Sequence, residues 1–168
     1  RYIEKFHHLY TYENINFIKS NIERLVRMYG KQFAELEKIN HVFLEMTTHL
    51  TVHMKHEEFI LFPYIRKMVK DGRKVRSALF RSVESPIAAM TADHETESEC
   101  LKKLDHLTHH YAVPVKSDNA FKVTYEALKE LEKDIHDHLK IENEILFPKA
   151  LKMESRFNSM MGRRAGAK

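Results

Sequence analysis

The chain has 168 residues, 43% hydrophobic and 31% charged, which suits one soluble globular domain large enough to bury a real core. No run of about 18 apolar residues occurs, which excludes a membrane span, and a single cysteine, Cys100, excludes an intrachain disulfide or a CxxC pair. The net charge of +4 does not point to nucleic acid, because residues 152–168 hold five Lys/Arg against Glu154, +4 by themselves, and leave the body neutral.

Glycine and proline are scarce, four of each, and Ala, Leu, Glu, Lys and Met are common, which favours helix. Helix one is predicted over Tyr2 to Tyr29, where His8, Thr11, Ile15, Ile18, Ile22, Leu25 and Tyr29 alternate at spacings of three and four, as one buried stripe requires; Gly30 follows as a stop. Helix two covers Phe33 to Val69, with Ile39, Phe43, Met46, Leu50, His53, Glu57, Ile60 and Tyr64 in phase and a kink or break expected at Pro63. Lys70–Ser85 lacks a core stripe and reads as a connection. Pro86 opens helix three, which carries Ile87, Met90, His94, Glu97, Leu101 and Leu104 and fades near Tyr111. After a loop over Ala112–Asn119, helix four runs from Ala120 to Leu151 with Phe121, Leu128, Leu131, Ile135, His138, Glu142 and Ile145 in phase. These elements predict an all-α, up-down four-helix bundle over residues 1–152, followed by a basic tail, 153–168, expected to fray. No secretory leader is legible and the lone cysteine fits a reducing compartment, so a cytoplasmic protein is expected.

The histidines, twelve in all, direct the functional reading. HMKHEEFILFPYI at 53–65 returns as HLKIENEILFPKA at 138–150, and each phrase is preceded by an inward histidine one helix earlier, His8 by 45 residues and His94 by 44. The chain thus reads as two αα-hairpins related by a pseudo-twofold axis. Residues four apart share a helix face, so His53 points with Glu57 and His138 with Glu142, all on stripes otherwise built from Ile, Leu, Met and Phe. A carboxylate and an imidazole in an apolar seam are costly unless paired or bound to metal. Two neighbouring cations, bridged by the two carboxylates, resolve that cost in one register of all four helices. Imidazole with carboxylate suits iron, manganese or zinc, and no thiolate is offered.

With HHLYTYENI near the start, HMKHEEFILFPYI, SPIAAMTADHETESE and KIENEILFPKA, residues 2–151 resemble the hemerythrin-like, HHE cation-binding, domain. They are most similar to the di-iron RIC proteins, which repair iron-sulfur clusters damaged by nitric oxide or oxidants. The resemblance implies a cofactor of two iron ions, bridged by carboxylates and by oxo or hydroxo. It places the ligands on His8, His53, His94 and His138 and the bridging carboxylates on Glu57 and Glu142. His7 is the rival of His8, but only His8 shares the stripe through Ile15 and Ile22. Where a further family histidine is expected near the end of helix one, this chain has Tyr29, which could ligate, donate a hydrogen bond to a bound ligand, or fill the core. Glu97, close to the inner stripe, is read as support for a ligand imidazole or as an extra ligand. The family's cysteine-bearing N-terminal region has no counterpart in these residues. His49 is read as a supporting or surface residue, and His41, His56, His106, His109, His110 and His136 as surface residues.

Two functions stay open at this level: iron-sulfur cluster repair under nitrosative or oxidative stress, by iron donation or by NO or peroxide handling, and an O₂ carrier or sensor. The expected partners are O₂ or NO and iron-sulfur client proteins, with neither nucleic acid nor membrane. The residues do not fix the oligomeric state, or whether the centre reduces NO or peroxide as an enzyme.

Overall fold

The computed structural model describes the backbone of residues 1–115 and 117–165, with side chains up to residue 160. Six α-helices form among the described residues: α1 (Leu9–Tyr29), α2 (Glu35–His56), α3 (Phe62–Asp71), α4 (Glu84–Leu107), α5 (Asn119–Ile141) and α6 (Phe147–Ala165). Three wider π-turns of five residues each, Glu4–His8, Glu57–Leu61 and Glu142–Leu146, precede α1, link α2 to α3 and link α5 to α6. The second and third make α2–α3 and α5–α6 continuous rods, so four rods pack up-down-up-down, with α1 against α2 and α5, and α2 against α4. No strand occurs among the described residues, and no helix there is long and apolar enough to cross a membrane.

The stripes account for the packing, with one correction. From α1, Thr11, Ile18, Ile22 and Leu25 are buried, and from α2, Leu36, Ile39, Phe43, Met46 and Leu50. With Cys100, Leu101 and Leu104 of α4 and Phe121, Leu128, Leu131 and Ile135 of α5, all of these but Thr11 form the upper core. Beyond Glu57 the predicted phase holds only at Tyr64. Leu61, Phe62, Tyr64, Ile65 and Met68 are buried, whereas Ile60 is only half-buried. In the second copy Phe147 and Ala150 are buried and Ile145, predicted inward, is 47% exposed.

The reason lies in the π-turns. The amide of Phe62 donates to the Glu57 carbonyl, and that of Phe147 to the Glu142 carbonyl, five residues back instead of four. One extra residue is wound into the turn, so everything after it rotates by about 100°. Pro63 and Pro148 explain the location, since neither offers an amide and the pyrrolidine ring presses on the preceding turn of a regular α-helix. The kink expected at Pro63 is therefore a widened turn just ahead of it.

The re-phased residues build a lower core of Ile3, Leu61, Phe62, Met68, Val75, Val83, Ile87, Met90, Phe147 and Ala150. The connection after α3 turns at Gly72, whose φ of 61° favours glycine, and α4 starts at Glu84, two residues ahead of Pro86. Three successive non-glycine residues with positive φ, His109, His110 and Tyr111, end the α4 side before the loop to α5. Asp118 then caps α5, its carboxylate accepting from the Ala120 amide at 2.6 Å.

The tail expected to fray from residue 153 begins instead as an unbroken part of α6. Met153 and Phe157 pack on the lower core and Glu154 is 3% exposed. Glu154 accepts from the Tyr64 and Ser82 hydroxyls, each at 2.6 Å, and from the Val83 amide at 3.2 Å. These bonds outweigh the burial and hold its carboxyl below the usual range. The side chains of Arg163 and Arg164, and Lys168 altogether, lie outside the described residues.

Glu154 thus ties α6 to α3 and to the start of α4. Glu154→Ala strands buried donors, each worth about 1–3 kcal/mol. The urea midpoint should fall, and proteolysis within residues 73–83 should quicken; an unchanged midpoint would show that the tie contributes nothing.

Candidate metal centre

The three π-turns coincide with the predicted site. His8 closes the first, Glu57 opens the second one turn after His53, and Glu142 opens the third one turn after His138. His94 comes from the interior of α4. All six are buried, none more than 3% exposed, in a polar layer between the upper and lower cores.

They converge as two groups, His8 with His138 and His53 with His94, and both groups include Glu57 and Glu142. Within each group the candidate ligand atoms lie within 4.8 Å of one another. His8 Nε2 is 3.3 Å from Glu57 Oε2 and 3.3 Å from His138 Nε2, and His138 Nε2 is 3.1 Å from Glu142 Oε1. On the other side His53 Nε2 is 3.4 Å from Glu57 Oε2, and His94 Nε2 is 3.2 Å from Glu142 Oε2. Ligand atoms bonded to one ion at about 2.1 Å stand roughly 3.0–3.4 Å apart along an octahedral or tetrahedral edge, so this spacing fits a shared cation. Both oxygens of Glu57 and of Glu142, both ring nitrogens of His53, and His94 Nε2 are buried without a hydrogen bond. Buried polar atoms left unpartnered in such number fit a bound ion.

The outer nitrogens explain why Nε2 faces inward. His8 Nδ1 donates to Glu58 Oε1 at 2.7 Å, and His94 Nδ1 to Asn143 Oδ1 at 3.0 Å. A carboxylate or amide oxygen only accepts, so the proton sits on Nδ1 and the Nε2 lone pair is left for a cation. Glu58 and Asn143 hold the same place in the two repeats, directly after the shared carboxylate, and sequence reasoning passed over both. The repeated Ile-Leu-Phe-Pro reads from the sequence as core packing and a helix bend below the metals, and its phenylalanine does pack in the lower core. Phe62 stacks on His8 at 5.8 Å between centroids and 19°, and Phe147 stacks on His94 at 5.7 Å and 12°. The Ile-Leu-Phe-Pro phrase therefore supplies, in each half, the ring that backs that half's first histidine.

Glu97 is buried, with both oxygens unpartnered and Oε1 3.9 Å from His53 Nδ1, but it belongs to neither group. Asp93, half in solvent, stands 3.7 Å from the same nitrogen. His7 pairs with Asp134 at 2.9 Å and stacks on His138, beside the layer and not in it. His49, His41, His56, His106, His109, His110 and His136 are exposed. The structure corrects the ligand role considered for Tyr29. Tyr29 lies 21 residues along the helix from His8, about 30 Å at 1.5 Å per residue, where its hydroxyl donates to Asp118 and its ring packs on Phe121. A stripe gives the face of a helix and not the level along it, and the tyrosine pins α1 to the start of α5. Tyr29→Phe should accordingly leave cation binding unchanged, as metal titration would read directly.

Burial works against charge on His53 and His138, yet the Glu57 and Glu142 carboxylates, with Glu97 also acting on His53, raise them to about 9 and about 10. Burial also works against charge on Glu57, and the imidazoles of His138, His53 and His8 nevertheless hold it well below the usual range. For Glu97 the burial prevails and its carboxyl is pushed up. The cation-free chain therefore keeps protons where a cation would sit. Both histidine shifts are upward, so their stabilisation is full below the ordinary 6.5 and is lost as pH rises through about 9 and 10. The Glu57 shift is downward, so its stabilisation is present above the ordinary 4.5 and is lost on acidification. Urea midpoints of the cation-free protein should fall across the alkaline window, whereas cation affinity, which requires loss of those protons, should rise there. A flat profile of both would contradict the arrangement.

A family model described as the hemerythrin HHE cation binding domain matches residues 5–150. The iron-sulfur cluster repair proteins YtfE of Escherichia coli O139:H28, Escherichia coli K12 and Shigella boydii serotype 18 are each 34% identical to the chain over 102 residues, 61% of this chain and 42% of theirs. The alignment thus spans less than half the length of these curated relatives. Matched over most of its length, and with its buried histidines and glutamates gathered in two groups between four helices, the chain belongs to the hemerythrin HHE cation-binding domain family.

Proposed function

We propose that this chain holds two irons in a carboxylate-bridged pair and serves in the repair of iron-sulfur clusters damaged by nitrosative or oxidative stress. The observation that carries the reading is the sharing of Glu57 and Glu142 between the two groups, because two carboxylates common to two imidazole pairs suit two ions side by side. Nitrogen and oxygen donors without a thiolate suit iron, and Cys100 lies apart, within the upper core. The repair role draws on the similarity to the YtfE proteins, whose name carries it.

His8 and His138 would hold one ion and His53 and His94 the other, with Glu57 and Glu142 available to both. When bound, the iron pair supplies redox equivalents and open positions for a small ligand such as O₂ or NO, and a source of iron for a damaged cluster. The chain's residues set the conditions. Glu58 and Asn143 fix two of the imidazoles, Phe62 and Phe147 wall them in, and the two apolar cores keep bulk water away. Glu97 acts as a positioning residue for His53, since its carboxyl is among the groups nearest that Nδ1.

Metal analysis of protein purified from iron-supplemented cells should return about two irons per chain, and none would overturn the reading. Single-turnover exposure of the reduced protein to NO decides the NO-handling branch, which fails if neither a new absorption band nor N₂O appears. Glu58→Gln should weaken iron binding by roughly ten- to a hundredfold in a chelator competition, with helix content unchanged, because the anionic partner of His8 is lost.

A further inference from the structure

A second concave site lies apart from the histidine layer, between the end of α3 and the irregular segment after it. Its volume is about 740 Å³, within the range of small-molecule sites. Lys67, Arg73, Lys74, Arg76 and Arg81 line it, and Asp71 is its one acidic residue. Residues 67–81 hold six Lys/Arg against that single Asp, and this surplus offsets a net acidic remainder of the body. Lys74 stands 4.0 Å from Glu154, whereas Lys67, Arg73, Arg76 and Arg81 make no ion pair among the described residues. Charges of one sign gathered at a concavity repel one another and focus the field into it.

The frame is fixed although it lacks regular structure. Glu154 holds the Ser82–Val83 end and Tyr64, and Phe80 packs edge-on against Tyr64 at 4.8 Å. Buried Val75 forms an apolar wall beside the cations, which strengthens their pull on an anion. Three of the five cations are arginines, whose planar forks take phosphate oxygens two at a time.

We infer that this cavity binds a small anion bearing several phosphate groups. The cluster is compact and bounded by the pocket, which fits one small polyanion better than the long backbone of a nucleic acid. The site is independent of the iron reading, because none of its residues belongs to the histidine layer.

Calorimetric titration with inorganic tripolyphosphate, at an ionic strength held constant with chloride, tests the inference. One saturable site per chain is expected. It should weaken roughly tenfold or more in the Arg76→Gln/Arg81→Gln variant and stay unchanged in Lys122→Gln/Lys129→Gln, which loses the same charge on the exposed face of α5. No binding above the chloride background, or equal weakening in both variants, would overturn it. So would a stronger affinity for single-stranded oligonucleotides that climbs with their length and is indifferent to the first substitution.

Discussion

Two carboxylates buried among four imidazoles, in the middle of an apolar bundle, are the constraint on which the rest of this structure depends. Glu57 and Glu142 are fully buried and make no hydrogen bond, an arrangement that costs several kcal/mol per charge unless opposite charge is supplied. The imidazoles supply it when protonated, and a cation supplies it when they are not. Protons and a cation would therefore compete for one layer. The apolar clusters above and below are what make the competition consequential, since in water the same charges would be weakly coupled.

The π-turns reconcile that layer with its surroundings. A helix with strict 3.6 periodicity that carries His-x-x-x-Glu inward would next present Ile60 and Ile145 to the core, but here it presents Leu61, Phe62 and Phe147. The extra residue in each turn brings the phenylalanine of the repeat behind a histidine, while Glu58 or Asn143 is carried to that histidine's outer nitrogen. One local distortion, located by a proline, thus serves ligand orientation and core packing together. The halves are not identical. An anionic Glu58 stands where the other half has a neutral Asn143, and α4 has no π-turn to match Glu4–His8. The pseudo-twofold axis therefore relates two positions of unequal electrostatic character.

Below the layer, the lower core closes on itself through Glu154, whose partners come from α3, from the connection and from the start of α4. The segment that carries the concentrated positive charge is thus held on a frame continuous with the helices that bear the ligands. The bundle has one polar layer designed for cations and, one core away, a basic recess of the opposite preference.

The sequence by itself determined the helical class, the four long elements, the internal duplication and the six residues that the structure brings together. Each depends on local spacing: three-and-four periodicity gives a face, and His-x-x-x-Glu places two groups on it. What local spacing cannot encode was decided by the tertiary structure. The rotation at Glu57–Leu61 and Glu142–Leu146 changes the period itself, so Ile60 and Ile145 were misplaced by a rule that assumes a constant one. Tyr29 shares a stripe with His8 but sits a helix length away, because a face carries no coordinate along the axis. Glu154 looked like part of a basic tail until partners from 64, 82 and 83 closed around it. Glu58 and Asn143 were unremarked polar residues until folding placed a histidine from another helix at each. The pairing of His8 with His138, and of His53 with His94, joins residues 130 and 41 positions apart, and only the packing of four helices determines which imidazoles stand together.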